Sequence, residues 1–273
     1  MKTSNPVLTR LGQAAERERV AGHAPTGPYG APGYGEQYPP AAGYPTAPAA
    51  TRPMTIDDVV VKTVTMLAIL GASAAAAWVL VPDALMGAAW IGAMVVGLVL
   101  GLVITFSRVA NPALVVTYAV VEGVFVGMVS KFFEVVAGYQ GIVLQAVVAT
   151  FGVFFLMAIL YRAKVIRATP RFARGLIAVM AGLFGVMLIN LVLSLFGFNT
   201  GLRDNGVIGI GFSLICIVVA SLSFVLSFAE VEEGVRMGLP QRYAWTAAFG
   251  IVVSLVWLYL EILRLLSYFQ GDD

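Results

Sequence analysis

The chain has 273 residues, of which 59% are hydrophobic and only 12% are charged, and its mean hydropathy is +0.89. This composition excludes an ordinary soluble domain and indicates a membrane protein, because about 20 apolar residues suffice to cross a bilayer. The formal net charge of +2 is too small to indicate a nucleic-acid partner, and the single cysteine, Cys216, cannot form an internal disulfide.

The first part of the chain differs in composition from the rest. Residues 1–53 contain nine of the thirteen prolines, with seven glycines and four tyrosines, and no apolar periodicity runs through them. Such a segment cannot bury enough apolar surface to offset its ordering entropy, so we predict a disordered cytoplasmic leader. The Pro, Gly and Tyr pattern is also compatible with a ligand for a partner domain. His23, the only histidine, lies in this leader.

Seven apolar stretches follow the leader. Thr55, with Asp58 three residues later, forms a capping-box pattern, which predicts that a helix begins here. The stretches are residues 59–81, 86–106, 112–133, 141–161, 174–195, 207–228 and 244–269. Each is long enough to cross a bilayer as a helix. We therefore predict that residues 54–273 form an all-α, polytopic membrane domain, a seven-transmembrane-helix bundle.

The positive charges are distributed unevenly over the two sides of the predicted bundle. Fourteen of the seventeen Lys and Arg residues fall in the leader, at the start of the first span or in the second, fourth and sixth connections. The other side keeps only Lys131, Arg203 and Arg264. Because basic loops stay in the cytoplasm, we predict a plasma-membrane protein with its amino terminus inside and its carboxyl terminus outside.

Small residues recur at spacings that let helix backbones approach one another. Gly97 and Gly101 share one face of the second span, and Ala119, Gly123 and Gly127 share one face of the third. Such faces pack either against neighbouring helices of the same chain or against a second copy. In a seven-span bundle we expect contacts within the chain.

Glu122 is the most informative ionisable residue of the spans. It lies ten residues after Pro112, which places it about 15 Å into the membrane at about 1.5 Å per residue. No basic residue lies one turn away, and a charge in hydrocarbon costs at least ~2.5 kcal/mol. Glu122 must therefore be protonated, hydrated by a cavity or paired across helices, and each option makes its charge sensitive to pH.

Two more charged residues lie deep in the predicted spans. Lys131 and Glu261 are predicted to lie at a similar depth in the membrane, so they are able to pair with each other across helices. Alternatively, each pairs one turn along its own helix, Lys131 with Glu134 and Glu261 with Arg264. The polar Asn190 of the fifth span is expected to make an interhelical hydrogen bond.

Acidic residues cluster where the sixth span is predicted to end. Glu230 and Glu232 come just before Arg236 and Arg242, and a solvated loop of mixed charge accounts for most of them. The sharper hypothesis is an acidic cation gate at the cytoplasmic mouth, since carboxylates suit hard cations such as calcium.

Several enzyme classes are excluded because the residues that their active sites need are missing from the spans. The spans contain no histidine for a serine–histidine site or a zinc site, and only one firmly buried carboxylate, too few for an aspartyl dyad. The last span has no lysine for a Schiff base. We therefore expect no enzymatic activity, no cofactor and no resident metal.

Three separated motifs carry a resemblance to a known family. They are Tyr118-x-x-x-Glu122-Gly123, the segment 189–197 (INLVLSLFG) and the segment 258–266 (LYLEILRLL). Together, and in this order, they resemble the Bax inhibitor-1/YccA-like family of integral membrane proteins, in its bacterial branch with a long leader. The resemblance implies six helices around a central one and, in some members, a pH-sensitive calcium leak controlled by acidic residues on the sixth and seventh spans.

The resemblance assigns positions as well as a fold. Glu122 matches the family's acidic position on the third span, and Glu261 matches the acidic position after Leu-Tyr-Leu on the last. The family's sixth-span aspartate is missing, because Ser227 and Ala229 stand in that region and acids begin only at Glu230. A gate of this kind is therefore absent here or rebuilt with Glu230 or Glu232.

The resemblance leaves two alternative functions open. The first is a passive, pH-modulated leak for cations, above all calcium, with Glu122 as an intramembrane cation or proton site and Glu261 with Glu230 as gate elements. The second is a non-conducting regulator that binds other membrane proteins, since eukaryotic relatives suppress cell death and a bacterial relative modulates a membrane protease.

Overall fold

The computed structural model describes residues 52–107, 110–198, 201–202 and 206–271. Within these ranges it contains seven helices long and apolar enough to cross a membrane and no strand, which confirms the predicted seven-helix bundle. They are α1 (Ile56–Leu80), α2 (Met86–Phe106), α3 (Pro112–Lys131), α4 (Ile142–Arg162), α5 (Pro170–Leu195), α6 (Val207–Arg236) and α7 (Tyr243–Gln270). The predicted leader lies outside the described residues except for its last two, Arg52 and Pro53.

Local sequence determines where several helices begin. The capping box predicted at Thr55 is present, with the side chains of Thr55 and Asp58 each bonded to the other's backbone N–H. Asn111 caps α3 and is followed by Pro112 in the first turn, where a proline costs no helical hydrogen bond.

The helical ends differ from the predicted spans at two places. α5 begins at Pro170 rather than at residue 174, because Thr169 caps the helix and Pro170 is well suited to its first turn. α6 continues to Arg236 rather than ending at residue 228. Glu is a good helix former, and the ion pair between Glu233 and Arg236 one turn apart supports the extra turns. The acidic residues therefore lie on a helix, not in a loop.

The last helix lies at the centre of the bundle. In its most apolar 18-residue window 61% of the residues are buried, against 6% for α5. α7 packs against α6, α1, α4 and α3, whereas α5 packs mainly on α6. The central helix that the resemblance implied is therefore α7, and most of α5 faces the lipid.

The small-residue faces pack within the chain, as expected, and both meet at α3. A Cβ added at Gly127 would lie 2.5 Å from the carbonyl oxygen of Ala74 on α1, and Gly123 approaches the backbone of Leu70 equally closely. On the opposite side of α3, a Cβ at Gly101 would lie 3.6 Å from the ring of Tyr118. Glycines of α3 thus let the backbones of α1 and α3 meet, whereas glycines of α2 leave room for side chains of α3.

The bundle has two ends of different charge. One end, called the basic face below, is formed by the start of α1, by the ends of α2, α4 and α6, and by the starts of α3, α5 and α7. Its described Lys and Arg residues are Arg52, Lys62, Arg162, Lys164, Arg167, Arg171, Arg174, Arg236 and Arg242. The opposite face carries Lys131 and Arg264.

Candidate functional site

A cavity of about 790 Å³ lies between α2, α3, α5, α6 and α7, and it is called the central cavity below. Its walls are largely apolar, but two carboxylates line it, Glu122 from α3 and Glu230 from α6. The remaining polar side chains of its lining are hydroxyls: Thr105, Tyr118, Ser223, Ser227, Thr246 and Ser254. The cavity therefore offers carboxyl and hydroxyl oxygen atoms within the hydrocarbon region of the bundle.

Glu122 lies at the inner end of this cavity. Since α3 begins at Pro112, Glu122 lies about 15 Å from the start of the helix, as predicted. Its carboxylate points toward α2, where a Cβ added at Gly97 would lie 2.9 Å from Oε2. Tyr118, one turn earlier, interacts with the same carboxylate and packs edge-on against Phe249, with ring centroids 5.0 Å apart. Gly97 thus provides the space that Glu122 occupies.

Glu230 lies at the mouth of the cavity, near the basic face. It is exposed and lies six residues before the end of α6, about 9 Å along the helix. Deeper along the same lining, the hydroxyl of Ser223 donates to the Ser254 hydroxyl at 3.1 Å. Polar side chains of the cavity lining therefore occur both near the basic face and in the middle of the bundle.

Beyond the cavity, buried apolar side chains of α6 and α7 form what is called the apolar layer below. On α7, Leu258 is buried beyond Ser254, and on α6, Val219 and Cys216 are buried beyond Ser223. Glu261 follows Ser254 by seven positions, which is about 10 Å along α7. The lining of the central cavity thus includes Glu122 and Glu230 but not Glu261.

Glu261 lies on the far side of the apolar layer, in a buried ion pair. Nη1 of Arg264 is 3.2 Å from both carboxylate oxygens of Glu261, whose side chain is only 3% exposed. The hydroxyl of Ser213 donates to Oε2 at 3.5 Å. Of the two predicted partners of Glu261, the structure thus selects Arg264 on the same helix.

Glu261 and Glu230 are not neighbours. Ser213, which contacts Glu261, precedes Glu230 by 17 positions on the same helix, about 26 Å. The two predicted gate elements therefore lie near opposite ends of α6 and are not in contact with each other.

Lys131 pairs with neither of its predicted partners. Its Nζ lies 2.7 Å from Oδ1 of Asp83 and donates to the carbonyl of Val81 at 3.1 Å. Glu134 instead accepts hydrogen bonds from the backbone N–H groups of Gly141 and Val143, at 2.7 and 3.1 Å. A short π-helix (Phe132–Val136) places Glu134 there. Asp83 directly follows Pro82 in the turn between two spans, and this position was the only sequence signal that it could pair with Lys131.

Glu232, the second predicted gate residue, faces away from the central cavity. Its Oε2 accepts a hydrogen bond of 2.6 Å from the hydroxyl of Tyr161 at the end of α4. Asn190 is half-buried on α5 and is not among the residues that line the cavity. In the described part of the chain, no group of three or more His, Cys, Asp or Glu side chains is arranged to hold a metal ion.

The segment before α1 is fastened to the connection between α6 and α7. The N–H of Met54 donates to the carbonyl of Leu239 at 2.7 Å, and the N–H of Gln241 donates to the carbonyl of Arg52 at 3.0 Å. The side chain of Gln241 also donates to Asp58, at 2.8 Å. Residues 52–55 thus form a short antiparallel contact beside the C-terminal end of α6.

We expect the Gln241→Ala variant to melt several degrees below the wild-type protein, because it removes a hydrogen bond to the carboxylate of Asp58. The side chain of Asp58 is 10% exposed. Thermal melting in detergent measures the effect. Gln140→Ala, at an exposed position of the opposite face, is the control, and an equal loss of stability in both variants would contradict a specific role for the Gln241 contact.

The chain also matches a known protein family. The family model described as Bax inhibitor 1 like matches residues 5–271, nearly the whole chain. No curated protein matches the chain. The match includes all seven spans, the half-buried Glu122 and the buried Glu261. The chain is therefore an integral membrane protein that belongs to the Bax inhibitor 1 like family.

Proposed function

We propose that the protein is a passive, pH-modulated cation leak, with calcium as the principal cargo. The observation that carries the proposal is the central cavity, which joins the exposed Glu230 to Glu122 in the middle of the bundle. A carboxylate at this depth lowers the cost of bringing a cation into a region of low dielectric constant. Glu230 attracts cations to the mouth, and Glu122 receives them at the inner end.

The apolar layer serves as the gate. Apolar constrictions stop ions by excluding water, so a closed state needs no charged plug. Opening requires α6 and α7 to separate between Ser254 and Glu261. Protonation of Glu122 removes the negative charge just below this layer, which lowers cation occupancy and makes the flux depend on pH.

The proposed activity is transport without catalysis, and it needs no cofactor. The protein lies in the plasma membrane with the basic face, and hence the mouth of the cavity, toward the cytoplasm, because positively charged loops are retained there. In this orientation the carboxyl terminus is outside, and Glu261 lies near the outer surface.

Calcium flux into liposomes tests the proposal. We expect entry to be faster at pH 8 than at pH 6 in the wild-type protein, and about tenfold slower in the Glu122→Gln variant, since a lost attraction of about 1.4 kcal/mol corresponds to tenfold in occupancy. The variant should also lose the pH dependence. Glu230→Gln should slow entry at low calcium but preserve the response to pH.

Asp57→Asn is the matched control. Asp57 is an exposed carboxylate at the basic face and does not line the central cavity, so this variant should retain wild-type flux. If flux equals that of empty liposomes at every pH, the leak is wrong and the non-conducting regulator of other membrane proteins becomes the better assignment.

Cysteine labelling tests the access of water to the central cavity separately from conduction. Cys216, the only cysteine of the chain, is buried in the apolar layer, so the wild-type protein should resist a charged thiol reagent. In a Cys216→Ser background, Ser227→Cys and Glu122→Cys should both react from the basic face. Protection of both introduced cysteines would contradict a hydrated cavity.

A further inference from the structure

A groove of about 520 Å³ opens between α1 and α4, away from the central cavity, and is called the α1–α4 groove below. Its floor is formed by α3 and α7, with Val126, Leu255 and Val256. α1 and α4 pack mainly against α3, α6 and α7 rather than against each other. The space between them therefore reaches the buried central helix from the outside of the bundle.

The lining of the groove is suited to hydrocarbon. None of its lining residues is charged, and its hydroxyl groups are already bonded within the chain. Ser130 donates to the carbonyl of Val126 at 2.6 Å and pairs with the hydroxyl of Tyr259 at 2.7 Å. Thr150 donates to the carbonyl of Ala146 at 2.7 Å. An apolar cavity of this kind does not hold water, so an apolar molecule is its natural occupant.

The groove lies at the depth of one bilayer leaflet. On α1 it extends from Leu67 to Val79, about 18 Å along the helix, and one leaflet contributes about 15 Å of hydrocarbon. Trp78 lies at its outer end, where tryptophan favours the interface between lipid and water. The ion pair of Lys131 and Asp83 follows just beyond, at the level of lipid headgroups.

The rim of the groove continues into the lipid-facing surface. Val79 at one edge is 79% exposed, and Leu144 and Val148 on α4 are 69% and 65% exposed. These side chains belong to membrane-spanning helices, so their neighbours are acyl chains. A chain from the bilayer can enter between α1 and α4 without crossing a polar surface.

We propose that the α1–α4 groove binds one acyl chain of a bilayer phospholipid. The bound chain contacts the central helix at Leu255 and Val256, six and five positions before Glu261. Lipid occupancy thereby stabilises the packing of α7 against α1 and α4.

Photocrosslinking in vesicles tests the proposal. The probe is a phosphatidylcholine that carries a diazirine at the end of one acyl chain, and mass spectrometry locates the adducts. We expect adducts concentrated on groove residues such as Ala74, Ala75 and Val147. Gly71→Trp should reduce these adducts several-fold, because nothing lies within 4 Å of a Cβ added at Gly71 and the new side chain fills the groove.

Gly92→Trp on α2 is the matched control. Its added Cβ also meets nothing within 4 Å, and Gly92 lies outside the groove, so groove adducts should remain at the wild-type level. Gly71→Leu is a milder second variant in case the tryptophan prevents folding. Adducts spread evenly over the lipid-facing helices, unchanged adducts in both Gly71 variants, or protein–protein crosslinks through the groove would each overturn the proposal. None of these readouts depends on calcium flux.

Discussion

The Arg264→Leu variant should be less stable than the wild-type protein by about 3–5 kcal/mol, because it leaves the Glu261 carboxylate buried without its charged partner. In the structure the guanidinium of Arg264 contacts both carboxylate oxygens at 3.2 Å. The remaining hydrogen bond, from Ser213 at 3.5 Å, is long and neutral. Glu261 would then have to take up a proton or draw water into the bundle.

A double-mutant cycle separates the pair from the surrounding packing. Thermal melting in detergent should show a decrease of about 10 °C for Arg264→Leu, at about 2–4 °C per kcal/mol for a protein of this size. The double variant Glu261→Leu, Arg264→Leu should recover most of this loss, since replacing both charges by apolar groups is often neutral. Additive losses in the double variant would show that the two side chains are not coupled.

The Gly123→Leu variant is expected to lose more than about 3 kcal/mol, beyond the usual cost of overpacking, because the clash is with backbone. A Cβ at Gly123 meets the carbonyl oxygen of Leu70 and lies 2.7 Å from Cβ of Ser73. α1 would have to move away from α3, and the hydrogen bond from Ser73 to the carbonyl of Val120, now 2.7 Å, would break.

Gly152→Leu on α4 is the control for Gly123→Leu. Nothing lies within 4 Å of a Cβ added at Gly152, and this glycine is exposed toward the lipid. Melting temperature and the monodisperse fraction after detergent extraction measure both variants. A Gly123→Leu protein as stable as Gly152→Leu would contradict the close approach of α1 and α3.

The candidate site was predictable where a residue conflicts with its surroundings. Glu122 has no basic residue within one turn and lies in an apolar span, so the sequence alone indicates that it needs a special environment. That environment is formed by two helices: Gly97 of α2 leaves space for the carboxylate, and Tyr118 of α3 contacts it. For Lys131, sequence spacing suggested Glu134 or Glu261, but the structure pairs it with Asp83. Partners on other helices depend on how the helices rotate, which local spacing does not specify.

The sequence by itself determined how many spans the chain has, that they are helices, and where most of them begin and end. Each span has to satisfy its own backbone hydrogen bonds in the bilayer, so its own residues are enough to identify it. Capping residues such as Thr55 and Asn111 mark helix starts in the same local way. Only the tertiary structure decided that α7 is central and that Glu122 and Glu230 share one cavity. It also decided that an apolar layer separates them from Glu261. These features arise from side-chain packing between helices distant in sequence, where hydrophobicity is nearly uniform and gives little indication of which faces meet.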